Sequence, residues 1–442
     1  MTSNSKKGAA GQNTAGKSAK NTGADQTRDV FVAGGGYVGL CVAVSIKSAA
    51  PGMSVTVVDA APEEAIENDS RASAIAAAAT RMLEILGIWP EIVADAQPIN
   101  EMIVTDSRLN DVVRPVFLTF GNVGTGDAQS RTEGGAERAE TPFAHMVPNR
   151  SLVKALRAKA RKLGVELVNN DSVDGFETLP SHAEIRCSSG RKYKTRLLVA
   201  ADGVRSRLRD QAGIRTVHWP YDQMGIVVTV AHERDHEGRA EEHFLPAGPF
   251  AILPLPDNKS SLVWTESTAE AKRLVESDPI LFELELEKRF GHKLGEISVE
   301  GRPRAFPLGL TLAREYIRNR FVLAGDAAHG IHPIAGQGLN LGFKDAAALA
   351  ETVVDAERLG LDIGSMAVLE RYQLWRRFDT VQMGVVTDVL NRLFSNDNAF
   401  LRLARDTGLG VVDRMPGLKR MFINQAAGND RAAPRLLQGE PI

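Results

Sequence analysis

Gly34, Gly36 and Gly39 stand between the apolar run Val30-Phe31-Val32-Ala33 and a second apolar stretch that reaches about Ala49. Glycines at this spacing, between a strand and a helix, can hold a pyrophosphate on backbone alone. The first allows the tight turn, the second lets backbone approach a phosphate, and the third lets helix and strand pack closely. Free N–H groups at the helix start then face the anion. Asp59 closes the next strand, Ser54 to Val58, 20 residues beyond Gly39. A carboxylate there accepts hydrogen bonds from a ribose hydroxyl.

This fingerprint does not choose among dinucleotides; two later sites choose FAD. Ala201-Asp202-Gly203 follows the buried run Leu197 to Ala201, and Gly325-Asp326 follows the buried run Phe321 to Ala324. A carboxylate at a strand end can hold a sugar or ribityl hydroxyl. The string His332-Pro333-Ile334-Ala335-Gly336-Gln337-Gly338-Leu339-Asn340 then leads into a helix. Its glycines let backbone approach a flat ring, and the helix start favours negative charge on the reduced flavin.

These residues need a scaffold, and the hydrophobic pattern supplies one. Arg71 to Leu86 reads as a helix on its alanine run, and Pro148-Asn149-Arg150-Ser151 opens another. Short alternating runs with turn residues between them predict an antiparallel sheet over 213–314. The expected fold is α/β: a discontinuous Rossmann-like FAD-binding domain (29–110, 145–212 and 315–365), an inserted antiparallel-sheet substrate domain (213–314) and a helical C-terminus (366–442). Residues 1–28 are expected to form a disordered tail and 121–142 an exposed loop, both poor in apolar side chains.

A chain of 442 residues has room for two or three such domains. Its formal net charge of -2 gives no basic excess for nucleic acid. Two cysteines, Cys41 and Cys187, allow no disulfide framework and suit the cytoplasm. No run approaches the roughly 18 apolar residues of a transmembrane helix. No metal is expected; His232, Glu233, Asp235 and His236 read as a polar strand end.

The three motifs together resemble the single-component FAD aromatic hydroxylases. Within them, Arg71-Ala72-Ser73-Ala74-Ile75, Glu241 to Leu255, Ile331 to Gly342 and Leu393 to Asn398 resemble the ubiquinone-biosynthesis hydroxylases, a likeness running from about 29 to 425. It implies ring hydroxylation of a polyprenylated phenol with O2, through a flavin C4a-hydroperoxide. By position, Gly34, Gly36, Gly39 and Asp59 would hold the ADP half of FAD. Arg71 would reach the pyrophosphate or flavin side, and Arg150 the cofactor from its helix start. Asp202 and Gly325-Asp326 match the family's Asp-Gly and Gly-Asp positions, with Asp326 on the ribityl chain. Gly336, Gln337, Gly338, Leu339 and Asn340 would line the flavin ring.

For catalysis the sequence offers His332 and Pro333 beside that loop, with His329 as a second imidazole for moving protons or bonding loop carbonyls. Tyr221 and Gln223 are candidates for the substrate wall. No second strand-glycine-helix unit exists for NADPH, so the reductant is NADPH in transient docking or a redox protein partner. Other ubiquinone-biosynthesis proteins are possible partners, and a polyprenyl substrate implies work at the inner membrane face, with Leu418 to Ile423 as a candidate contact. The alternatives are a flavin dehydrogenase or reductase on the same fold and a non-catalytic FAD-binding subunit.

Overall fold

The computed structural model describes residues 27–66, 69–106, 116–121, 142–331, 337–394 and 433–442. The expected tail up to residue 26, the loop 122–141, His332, Pro333, Gly336 and the segment Leu418 to Ile423 lie outside them.

Five strands make the parallel centre of the first sheet, in the order Phe321–Leu323, Lys192–Ala200, Arg28–Ala33, Val55–Val58 and Glu166–Val168. Arg28–Ala33 and Val55–Val58 carry runs buried on both faces, which near-continuous apolar side chains satisfy. The helix Tyr37–Ala49 crosses between them and buries nine of its residues. Helices Asn149–Lys162 and Gln337–Arg358 pack against it. All strand C-termini therefore point to one edge, where doubly wound sheets bind ligands.

The second sheet runs His329–Gly330, Ile297–Ala313, Thr216–His232, Lys259–Ser267, Gly248–Leu255, Arg239–Leu245, Glu101–Asp106 and Val116–Gly121. Its own core holds Ile226, Trp264, Phe282 and Leu286, with helices Thr268–Glu276 and Pro279–Phe290 laid on one face. Glu101–Asp106, expected in the dinucleotide-binding part, instead pairs in parallel with Arg239–Leu245.

Residues 71–86 are not one helix. Ala72–Ala76 is a strand, paired antiparallel with Ala144–Pro148, and only Ala77–Ile85 is helical. Alanine's helix propensity is worth a few tenths of a kcal/mol per residue, and a partner strand in register overrides it. At the far end, Arg435–Gln438 returns to the first core, where Leu436 and Leu437 are buried.

Candidate active site

Each fingerprint glycine has a separate steric reason. Gly34 has φ +115, and a Cβ there would stand 2.2 Å from the Ala201 carbonyl oxygen. A Cβ on Gly39 would lie 2.0 Å from the oxygen of Gly34. Around Gly36 none of the described residues comes within 4 Å of a Cβ. Open space therefore faces the start of the Tyr37–Ala49 helix, which has no side-chain cap and no acidic residue in its first turn. A helix start of this kind is an anion seat of pyrophosphate type.

Carboxylates surround the seat. Asp59 accepts a hydrogen bond from the Ala61 amide at 3.0 Å. Asp202 lies beyond the end of Lys192–Ala200, its amide nitrogen 3.1 Å from the Cβ direction of Gly34. Asp326 sits in a one-turn segment whose Gly325, at φ +62, packs against Val38. Burial pushes the Asp202 and Asp326 carboxyls up, although both residues are exposed on their open side. Groups at the bottom of a cleft combine those properties: protein on most sides and one open direction. The residues present thus fit FAD, with a phosphate cradle and hydroxyl-accepting carboxylates along one edge.

Three residues that sequence reasoning passed over complete this edge. Tyr37, inside the glycine loop, has its hydroxyl pushed up to about 12 by burial and then by Asp326, and it also feels Arg71 and Asp69. Asp69 holds Arg71 through two contacts of 2.8 Å, and the half-exposed guanidinium stands 5.9 Å from the Phe306 ring of the second sheet. Asn149 donates its backbone N–H to the Arg71 carbonyl at 2.9 Å. Arg71 is therefore brought to the Tyr37–Asp326 edge. Arg150 lies on an outer pocket of about 670 Å³, with Lys154, Arg157, Glu63 and Asp95.

The segment after Gly325 is held from below. Asp345, fully buried on Gln337–Arg358, accepts the Gly325 amide at 2.8 Å, His329 Nε2 at 2.6 Å and Arg376 Nε at 2.8 Å. Burial alone would push its carboxyl up, but His329 and Arg376 hold it below the usual range. His329 bonds this carboxylate rather than a loop carbonyl, and its Nδ1 has no partner among the described residues. Arg209 ties the two acidic turns together, donating to the carbonyls of Val204 and Ala327, each at 3.1 Å.

The remaining predicted residues divide. Gly338 has open space around a Cβ, whereas Leu339 is buried in the first core. Gln337 begins the helix. Asn340 is spent on the strand beside it, accepting from the Ala76 amide and donating to the Ala74 carbonyl, both at 2.9 Å. Tyr221 donates to Asp388 Oδ1 at 2.9 Å, and Gln223 Nε2 to the Ala247 carbonyl at 2.7 Å, so these bonds also position the wall of the second sheet. His232 and His236 hydrogen-bond the carbonyls of Arg234 and Leu255, each at 2.7 Å.

A family profile described as an FAD binding domain matches residues 27–408. The chain is 42% identical to the ubiquinone hydroxylase UbiL of Rhodospirillum rubrum, over 95% of this chain and 94% of that protein. It is 33% identical to the 3-demethoxyubiquinol 3-hydroxylase of Escherichia coli, over 91% of this chain and 99% of the relative. In fold it resembles the p-nitrophenol 4-monooxygenase PnpA of Pseudomonas putida, with a TM-score of 0.72, 19% identity, and 91% and 99% of the two chains covered.

Proposed function

The chain belongs to the FAD-dependent hydroxylases of ubiquinone biosynthesis, and from that premise we propose that it places one oxygen atom of O2 on the ring of a polyprenylated phenol. It is a flavin-dependent monooxygenase. The flavin, once reduced, supplies the activation of O2, and the protein supplies placement, charge and dryness.

One observation carries the assignment of parts: the uncapped helix start beside Gly36, with Asp59, Asp202 and Asp326 ranged along the same sheet edge. In this reading the Gly34–Gly39 backbone binds the pyrophosphate and Asp59 the ribose. Asp326 holds the ribityl chain, and Arg71, oriented by Asp69, adds positive charge near the flavin. The start of Gln337–Arg358 faces the ring and favours its anionic reduced form. Asp345 fixes the pitch of the Gly325 turn through its amide. The second sheet, reached across Phe306 and backed by Tyr221 and Gln223, forms the substrate wall and excludes water. His332 and Pro333 remain the proposed loop contacts to substrate. Peripheral contact with a membrane follows from a polyprenyl tail; no helix among the described residues is long and apolar enough to cross one.

The test uses a soluble short-chain polyprenylphenol, chemically reduced holoprotein and 18O2. One labelled atom in the product ring is the expected result. A flavin that cycles while the product stays unlabelled gives the chain to the dehydrogenases and overturns the proposal.

A further inference from the structure

The long helix Met366–Phe394 carries an apolar row on its outer face. Leu374, Phe378, Val381 and Val385 are 77, 75, 41 and 53% exposed. Spacings of four, three and four residues place them on one side of the helix. The other side is packed: Tyr372 and Arg376 are buried, and Gly384 lies against Leu310 and Leu312. Val217 and Trp219 are the direct antiparallel partners of Leu312 and Leu310, so they share that sheet face, and both are exposed. The apolar surface therefore continues from helix to sheet. Single exposed leucines are ordinary, whereas a contiguous row beside a tryptophan marks a contact surface.

The rim of this surface is basic. Arg377 is exposed between Leu374 and Phe378 on the helix. Arg215 and Arg318 act with it on the carboxyl of Glu315, and exposed Arg314 hydrogen-bonds the Arg215 carbonyl through its amide at 2.9 Å. Three arginines thus act on one glutamate, Arg318 as its ion-pair partner at 2.6 Å, and a fourth, Arg314, precedes it in the chain. Asp379 is turned inward to Arg376, at 2.9 Å. Glu370 is exposed one turn before the row begins.

We propose that this face seats the protein on an anionic lipid bilayer, the helix lying in the headgroup plane with Leu374, Phe378, Val381 and Val385 toward the acyl chains. Apolar side chains bordered by arginines match a negatively charged leaflet, where both terms add. A second copy of the chain is the competing occupant, and it would bring four arginines near four others across a twofold axis. The proposal deepens the polyprenylphenol reading by naming the surface that meets the substrate's solvent, and its physical argument stands without that reading.

Flotation of the full-length holoprotein with vesicles tests it. The protein is expected to float with phosphatidylcholine–phosphatidylglycerol vesicles, weakly with phosphatidylcholine alone, and less as salt rises. Phe378→Glu, Leu374→Gln and Arg377→Glu should each lower partitioning by about tenfold or more, with flavin content and melting temperature kept. Variants that float like the wild type overturn the proposal, as does failure to float on anionic vesicles. A dimer in sedimentation that Phe378→Glu dissociates, with no vesicle binding, assigns the face to a second copy and also overturns it. Hydroxylation of the soluble substrate needs no vesicle and is expected to persist in all three variants, so the two readings fail separately.

Discussion

At Gly36 the backbone leaves room that none of the described residues fills, and at Gly39 it leaves none. Substitutions at the two positions should therefore fail differently. Gly36→Val is expected to leave the apoprotein's melting temperature near wild type while weakening FAD about tenfold or more, read by flavin fluorescence titration. Gly39→Ala brings a Cβ against the Gly34 carbonyl and should cost the apoprotein itself about 1–3 kcal/mol. Asp345 carries a third prediction. Asp345→Asn removes the fully buried carboxylate shared by His329 and Arg376 and leaves Asp379 as the guanidinium's remaining anion, a loss of about 3 kcal/mol in urea unfolding at neutral pH. The folded-state pKa of Asp345 is depressed, so its contribution is complete above the unfolded value of about 4 and is lost as pH falls through the folded value. The gap between wild type and variant should narrow below about pH 4; a widening gap there contradicts the assignment. The placement of the glycines and the strand-end aspartates at one sheet edge was legible because their spacing is local. Tyr37, Asp69 and Asp345 were not. Their meaning comes from partners such as Asp326, Arg71 and Arg376, which a linear pattern does not bring together, although a charged residue on the otherwise apolar face of Gln337–Arg358 was a usable signal.

Among the elements, Ala72–Ala76 shows where local reading stops. Its sequence is that of a helix, yet it is clamped as a strand by Ala144–Pro148 on one side and by the Asn340 amide on the other. Asn340→Ala removes both side-chain bonds and strands a buried backbone donor and acceptor. It should destabilise by about 2–4 kcal/mol and speed hydrogen exchange at the Ala76 amide, while Asn340→Asp, which keeps the acceptor, should retain part of that protection. The buried parallel strands were readable because burial on both faces demands an unbroken apolar run. The 17-residue strands Thr216–His232 and Ile297–Ala313 were read short or missed. Their partly exposed halves carry prolines and charges, and cross-strand pairing, interrupted between Pro220 and Gln223 and between Val227 and Thr229, rather than hydrophobic alternation holds them together.

For the molecule as a whole, cofactor and fold are linked by mass action. Free FAD at 100 times its Kd should add about 2.7 kcal/mol to unfolding. Asp59→Asn keeps the acceptor for the Ala61 amide, so the apoprotein should melt as wild type does and gain less from FAD. Equal gains would remove Asp59 from the cofactor's contacts. The two-sheet plan was visible in the change of pattern near residue 215. The strand Glu101–Asp106 was not, because it joins the far sheet across more than a hundred residues of chain, and parallel pairing leaves no turn to announce it.

Between Asp326 and Gly330 the chain passes from the acidic turn to an edge strand of the second sheet, where Gly330 pairs with Thr311 and His329 with Leu312. Three residues lie between the two positions, and Asp345 bolts the stretch through His329. This stretch is a fixed axle. The two sheets cannot separate along it without breaking ladder bonds, so any widening between them is expected to be greatest on the side of Arg71 and Phe306. A substrate with a long tail would then enter from that far side and leave by it, while Asp326, on the axle, hardly moves.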